Sequence, residues 1–139
     1  MNIISPQEAK KELARRELAR RNLFDFFQQG WKVLEPQTPL YVNWHQELTC
    51  EYLQQITAGQ IKCLLINVAP RSLKSKIISV FFPCWEWLKY PSLHYLCMSY
   101  SSLVANDYND ERQTLIQSPW YQVLSGGMRL SNTKNRSFT

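Results

Sequence analysis

The stretch "LLINVAPRSLKSKIISVFF", from Leu64 to Phe82, decides how this chain of 139 residues is interpreted. An apolar run stops at a short basic loop, and Lys74-Ser75 then begins a segment with a helical pattern. This is the layout of a phosphate-binding loop, except that no glycine occurs in it. Two interpretations are open. The stretch is either a nucleotide site whose glycines have been replaced, or an ordinary basic turn between a strand and a helix.

The common phosphate-binding loop, G-x-x-x-x-G-K-[ST], holds phosphates with backbone N–H groups and a lysine, and Mg²⁺ with a serine or threonine. Aligned on that form, Lys74 and Ser75 are in register, while Val68 and Leu73 stand at the glycine positions. The placement strengthens the match, because a helix N-terminus favours anions and Arg71 adds a bidentate phosphate donor. Pattern and placement leave the two interpretations about equally supported.

The segments around this loop predict an α/β fold. Two short apolar runs, Ile61 to Val68 and Leu93 to Tyr100, have the length and composition of buried strands. The helix between them should extend from Lys74 to about Leu88, with a kink at Pro83. A helix with an apolar stripe of Leu48, Tyr52, Leu53 and Ile56 should run from about His45 to Ala58 and end at Gly59. A further helix, capped by Ser101 or Ser102, should run to about Gln117 and end at Ser118-Pro119. The order predicts a right-handed βαβ unit, a P-loop NTPase-like core with the loop at the carboxyl end of its first strand.

A basic helix is predicted before this core. Ser5-Pro6-Gln7-Glu8 is a typical helix start, and the helix should run to about Gln29 and stop at Gly30. This divides the chain into an arm, residues 1–30, and a second part, residues 31–139. The arm holds six of the sixteen Lys and Arg residues. It is either a solvated arm docked through Leu23 to Phe27, or an arm that binds DNA or a partner. The arginines assigned to such binding are Arg15, Arg16, Arg20 and Arg21.

Composition places the protein inside a cell. The net charge of +5 permits an anionic partner without requiring one. The four cysteines form no C-x-x-C pair, and Cys63 and Cys97 fall within the predicted buried strands, so a reduced setting is expected. The N-terminal sequence lacks the apolar core of a signal peptide. The longest apolar stretch is interrupted by Pro83 and Glu86 and is too short to span a bilayer.

Four pieces of the chain resemble a known family. The chain is similar to the N-terminal part of the ATPase domain of the large terminase subunit of tailed bacteriophages and prophages. One branch of that family has Pro-Arg-Ser-Leu-Lys-Ser at the phosphate loop, as this chain does. The matching pieces lie in order between Leu34 and Asn135. They are "LEPQTPLYVNWHQE", "IKCLLINVAPRSLKSKIISVFFPCWEW", "LHYLCMSYSSLVANDYNDERQTLIQSPWYQVL" and "MRLSNTKN".

The resemblance of the motifs between Leu34 and Asn135 implies that residues 31–139 are a partial P-loop ATPase domain, with ATP and Mg²⁺ as cofactors. It assigns Lys74 to the β and γ phosphates, Ser75 to Mg²⁺ and Arg71 to phosphate contact or sensing. Ser72 and Leu73 complete the phosphate loop. The pair His45-Gln46 lies where the family often places its adenine-contacting motif, although a simple helix start explains that pair equally well.

The family packages viral double-stranded DNA into a capsid. The implied partners are that DNA, the small terminase subunit and the portal, with a ring of copies in the full-length protein and no membrane. The implied location is the bacterial cytoplasm, with transient docking at the procapsid portal.

Residues needed for hydrolysis are not recognisable in this sequence. No apolar run after Tyr100 ends in Asp or Glu, and Asp107, Asp110 and Glu111 have the pattern of a solvated helix face. The Walker B strand, the catalytic glutamate and the nuclease domain of the family are expected after Thr139. We therefore expect an ATP-binding fragment that does not hydrolyse ATP alone. The alternatives are a non-catalytic module that binds DNA or a partner, and a nonfunctional prophage remnant.

Overall fold

The structure, a computed structural model, describes residues 4–130. Each regular element in that range is helical. The elements are α1 (Pro6–Arg21), α2 (Leu23–Leu34), α3 (Trp44–Thr57), α4 (Lys74–Lys76), a π-helical turn (Ile77–Phe81), α5 (Phe82–Trp87), α6 (Ser102–Gln117) and α7 (Pro119–Ser125).

The predicted α/β fold class, with its P-loop NTPase-like βαβ core, is wrong for the described residues. They contain helices and no strand or sheet. Residues 62–68 and 94–100, which should have formed the two strands, make no hydrogen bond to another part of the main chain within the described range. A strand exists only when a neighbour pairs with it, and neither segment has such a neighbour here.

The side chains of these two segments also depart from the prediction. Leu65, Leu96 and Met98 are 86%, 87% and 84% exposed, although the apolar runs predicted burial on both faces. Cys63 and Cys97, expected inside buried strands, are exposed as well. An apolar run indicates that its side chains favour burial, but it does not show whether another part of the chain packs against them.

The predicted long N-terminal helix is two helices separated at Asn22. The start is confirmed: Ser5 and Glu8 form a capping box, and Pro6 is the first helical residue. Asn22 has extended backbone angles, ends α1, and accepts hydrogen bonds from the N–H groups of Phe24 and Asp25 at the start of α2. One Asn side chain therefore starts a second helix where apolar periodicity alone predicted continuation.

The predicted stop at Gly30 is also wrong, because Gly30 lies inside α2. A Cβ built on Gly30 would lie 2.8 Å from Cε1 of Phe81. Glycine is therefore required here for close packing of α2 on the π-helical turn, not for helix termination.

Aromatic side chains dominate the core around this contact. The Phe27 and Phe81 rings lie 5.1 Å apart at 78°, and Phe26 packs 5.1 Å from Trp120. The buried Tyr121 hydroxyl donates to the carbonyl of Cys84 at 2.7 Å. The buried apolar residues are Ala19, Leu23, Phe26, Phe27, Trp31, Cys50, Leu53, Ile77, Val80, Phe81, Phe82, Cys84, Trp85, Leu115, Ile116, Tyr121 and Leu124.

The helical segment that follows the loop changes its hydrogen-bond pattern in front of Pro83. The N–H of Phe82 donates to the carbonyl of Ile77, five residues back, before α5 continues. Proline cannot donate to the residue four back, so a disturbance at this point was expected, and it takes the form of a π-helical turn.

Two other predicted helices are confirmed with small shifts. α3 starts one residue before His45 and ends near Gly59, and α6 spans the predicted range up to Ser118-Pro119. The predicted apolar stripe of α3 is only partly buried, since Leu48 and Tyr52 are 40% and 41% exposed.

Candidate functional site

The loop before α4 has an unusual backbone. Arg71 and Leu73 both have φ of +63°, and they are the two non-glycine residues with positive φ in the described part of the chain. Leu73 is the N-cap of α4 and makes no side-chain capping hydrogen bond. The left-handed conformation costs an L-residue roughly 1–2 kcal/mol. Strain of this kind persists only where the surroundings enforce it, and it is concentrated at binding sites.

One of these two positions coincides with a glycine position of the common phosphate-loop pattern. Leu73 stands where the common phosphate-loop pattern has the glycine directly before Lys. Its φ is in the region that glycine adopts without strain. The chain thus keeps a glycine-like backbone at this position without the glycine.

The loop encloses a cavity of about 380 Å³. Its lining is the continuous segment of residues 68–76 together with Tyr108 from α6. Arg71, Lys74 and Lys76 supply cationic groups, and none of the acidic residues within residues 4–130 lines the cavity. Ser75 and Tyr108 add hydroxyls. A small cavity whose described lining supplies cations and hydroxyls, and no carboxylate, has the chemistry of an anion site.

A second cavity, of about 350 Å³, adjoins the first and shares Arg71, Ser72 and Leu73 with it. Trp31, Pro39, Leu40 and Tyr41 give this cavity apolar walls, and His45 and Gln46 also line it. The structure thus brings the predicted adenine-side residues next to the predicted phosphate loop.

His45 contacts the loop directly, while Gln46 is committed to the helix start. The Nε2 atom of His45 lies 3.3 Å from the carbonyl oxygen of Ser72. Gln46 is 3% exposed, and its Oε1 accepts the backbone N–H of Asn43 in a capping box. The helix-start explanation therefore accounts for the Oε1 atom of Gln46, whereas His45 supports the geometry of the loop.

Lys76 is the centre of a charged cluster that the sequence did not reveal. Its Nζ lies 2.7 Å from Oε1 of Glu35 and 3.2 Å from Oε1 of Glu111, and 5.2 Å from the ring centroid of Trp31. Burial lowers the pKa of the ammonium, but the hydrogen bond to Glu35 and the charge of Glu111 outweigh burial and raise the pKa above its ordinary value. Lys76 is therefore a cation at neutral pH.

Glu111 was assigned to a solvated face, and that assignment is wrong. Besides its contact with Lys76, its Oε2 atom is buried and has no hydrogen-bond partner within the described residues. Asp107 and Asp110 are exposed, as predicted. Glu111 could not be recognised from sequence, because its partner is thirty-five positions away along the chain. Tyr108, one helical turn before Glu111, was missed for the same reason.

The four arginines of the arm do not line the loop cavity. Three of them pair within α1: Arg15 and Arg16 with Glu12, and Arg21 with Glu17. The fourth, Arg20, donates to the carbonyl of Val123.

A further cavity, of about 880 Å³, lies between α1, α2 and the connector that follows α2. Arg15 and Lys32 line it together with Asp25 and Glu35, so its charges cancel. It is thus a poorer anion site than the smaller cavity at the loop.

Comparison with family models, with curated protein sequences and with solved structures finds no match for this chain. The terminase resemblance therefore stays a prediction that rests on the quoted motifs. Among the residues described, no helix is long and apolar enough to cross a membrane. In the same range no group of three or more His, Cys, Asp or Glu residues could hold a metal ion.

Proposed function

We propose that this chain binds ATP with Mg²⁺ at the loop from Arg71 to Ser75, as the N-terminal nucleotide-binding fragment of a phage terminase large subunit. One observation carries the proposal. A cavity whose described lining includes Arg71 and Lys74 and no acidic residue is built around a loop that holds two non-glycine residues in the left-handed conformation. Backbone that is strained next to convergent phosphate donors supports a ligand role better than a plain turn does.

In this proposal each loop residue contacts a different part of the bound nucleotide and its Mg²⁺. Lys74 contacts the β and γ phosphates, Arg71 contacts the phosphates from the loop, and the Ser75 hydroxyl holds Mg²⁺. Ser72 and Leu73 contribute backbone N–H groups. The base enters the adjoining cavity, whose apolar walls suit a flat ring and whose shared residues keep it continuous with the phosphate cavity.

The proposal includes binding and excludes efficient hydrolysis by this chain. A phosphoryl-transfer site needs a carboxylate to orient water and another to hold Mg²⁺. In the part of the chain that the structure describes, no acidic residue lines the loop cavity, and the nearby Glu111 forms an ion pair with Lys76.

The wider role in packaging viral double-stranded DNA belongs to the same proposal. Only the family resemblance supports the other parts of that role. These are binding to the small terminase subunit and the portal, assembly into a ring of copies, and location in the bacterial cytoplasm.

A second candidate function is DNA or partner binding by the N-terminal arm. The observation that favours it is exposure: residues 4–11 of the arm are exposed throughout and include Lys10 and Lys11. The pairing of Arg15, Arg16 and Arg21 with glutamates weakens it, because paired charges bind phosphates less strongly. This candidate predicts binding that falls with salt and that charge reversal at Lys10 and Lys11 removes.

The test of the first proposal is titration of the purified chain with a fluorescent ATP analogue and Mg²⁺. We expect saturable binding that Lys74→Ala abolishes. Lys62→Ala is the matched control, because Lys62 is an exposed lysine that lines neither cavity of the candidate site. A folded wild type without saturable binding would exclude the nucleotide proposal. An unfolded circular dichroism spectrum would instead favour a nonfunctional remnant.

A further inference from the structure

Two lysines follow the loop closely, and their surroundings differ. Lys74 begins α4, lines the phosphate cavity and forms no ion pair within residues 4–130. Lys76 lies two positions later, and its ammonium is held by two carboxylates above the ring of Trp31. A lysine that has two carboxylates within 3.2 Å is poorly available to a phosphate.

The partners of Lys76 come from two other helices. Glu35 is the C-cap of α2, and Glu111 lies in the second half of α6. Trp31 also belongs to α2, and its Nε1 donates to the carbonyl of Thr38 in the connector. Lys76 thus links the start of the helical segment to α2 and to α6. Through Trp31 it is also linked to the connector after α2, which lines the cavity proposed for the base.

Lys76 adds to the two other attachments of the loop, which are the contact of His45 with the carbonyl of Ser72 and the packing of Leu73 against the core. Leu73 has no side-chain cap, and its left-handed backbone is directly followed by the three residues of α4. A strained conformation reverts unless neighbouring structure fixes it. Among residues 74–76, Lys76 is the residue that forms ion pairs with other helices.

We propose that Lys76 is a positioning residue of the phosphate site, and that Glu35 and Glu111 hold it so that Lys74 alone of the two lysines contacts phosphate. This inference rests on the proposed nucleotide binding. It goes beyond that proposal by giving Lys74 and Lys76 different roles, which the sequence pattern does not distinguish. Lys76 acts through the backbone of the loop, so its loss should affect every phosphate-containing ligand equally.

The experiment compares ATP and ADP affinities of the full chain, with Mg²⁺, for wild type, Lys74→Met, Lys76→Met and Lys76→Arg. Methionine keeps the unbranched stem and removes the charge. We expect Lys76→Met to weaken ATP and ADP binding by the same factor, about tenfold, because a displaced site loses all of its contacts. Lys74→Met should weaken ATP binding more than ADP binding. Lys76→Arg keeps the charge and should restore most of the affinity.

A second measurement needs no ligand. Trypsin cleaves after the exposed Arg71, and the cleavage rate reports how firmly the loop is held. We expect cleavage at this bond to be several-fold faster in Lys76→Met than in wild type. If Lys76→Met fails to fold, Glu111→Gln serves as the milder variant, and the same increase is expected from it.

The outcomes separate the two proposals. If the wild type binds nucleotide and Lys76→Met changes neither affinity nor cleavage, the positioning role is wrong and the proposed function stands. If Lys76→Met reduces the preference for ATP over ADP as Lys74→Met does, Lys76 is a contact residue and the division of roles is wrong. If the wild type binds neither nucleotide, both proposals fail together.

Discussion

The ring of Phe81 occupies the space into which any side chain at Gly30 would extend. The Cε1 atom of Phe81 lies 2.8 Å from the position of a Cβ on Gly30, and Phe81 is fully buried against Phe26 and Phe27. This contact sets the distance between α2 and the π-helical turn. Since that turn follows the loop, the contact also links the aromatic core to the candidate site.

Gly30→Ala should therefore destabilise the protein. Alanine gains about 1 kcal/mol over glycine inside a helix, but overpacking of a rigid core costs roughly 1–3 kcal/mol. We expect a net loss of about 1 kcal/mol in the free energy of unfolding, measured by urea denaturation. Phe81→Leu should relieve the clash, so Gly30→Ala should cost less in that background. Equal costs in both backgrounds would contradict this contact.

Arg71→Gly should weaken ATP binding without lowering the stability of the protein. Glycine adopts positive φ without strain, and the relief of roughly 1 kcal/mol offsets the flexibility that glycine adds to the unfolded chain. We expect unchanged or slightly higher stability together with weaker binding of ATP. Lys62→Gly is the control at an exposed position with negative φ, and it should lose about 0.5–1 kcal/mol. Equal losses for the two variants would argue against strain at Arg71.

The four thiols should react in two classes. Cys63 and Cys97 are exposed, whereas Cys50 and Cys84 are buried. Burial also raises the pKa of Cys84 above its ordinary value. With an aromatic disulfide reagent at pH 8, we expect two thiols to react at once and two only as the protein unfolds. Removal of Cys63 and Cys97 by serine substitution should abolish the fast phase. Four fast thiols would contradict the packing described.

Cys50 should make the protein less stable in alkali. Burial raises the pKa of its thiol to about 12, and the charge of Glu47 acts in the same direction. The unfolded thiol titrates near pH 8.5, so the stabilisation is complete below about pH 8.5 and is lost as the pH rises toward the folded value. At pH 9.5 the wild type should have lost about 1.4 kcal/mol from this thiol relative to neutral pH. Cys50→Ala should lack this part of the loss in denaturation curves at the two pH values.

The unpaired extended segments should promote self-association. Residues 94–100 carry exposed Leu96, Met98 and Tyr100 at alternate positions, with no acidic or lysine side chain between them. Uncharged apolar segments with free main-chain groups are templates for intermolecular pairing. We expect Met98→Lys to reduce aggregation, measured by light scattering, without lowering the melting temperature. Leu18→Lys, at an exposed helical position, is the control and should have little effect.

Local signals in the sequence predicted local structure well. The capping box at Ser5 and Glu8, the disturbance before Pro83 and the helix end at Ser118-Pro119 all depend on residues within a few positions of each other. The predicted loop and His45 are also close in space. The first three features follow from the chemistry of short segments, whereas the contact between His45 and Ser72 joins residues 27 positions apart.

The errors arose where distant residues decide the outcome. Whether Leu96 is buried depends on a pairing partner, and a short apolar run carries no information about one. Gly30 matched a helix stop, while its real role depends on Phe81, fifty-one positions later. Glu111 had a solvated pattern because its cationic partner belongs to another helix. Sequence periodicity describes one element at a time, and these three residues are defined by contacts between elements.

The π-helical turn has a consequence for the rotational phase of the segment from Lys74 to Trp87. An α-helix turns about 100° per residue, so one extra residue within a turn shifts the side chains beyond it by roughly that angle. The direction in which Lys74 and Lys76 point is therefore not the direction that extrapolation back from Phe82 and Trp85 would give. The core fixes the orientation of Phe82 and Trp85. The loop half is held by the charges around Lys76 together with the packing of Leu73 and Ile77 against the same core.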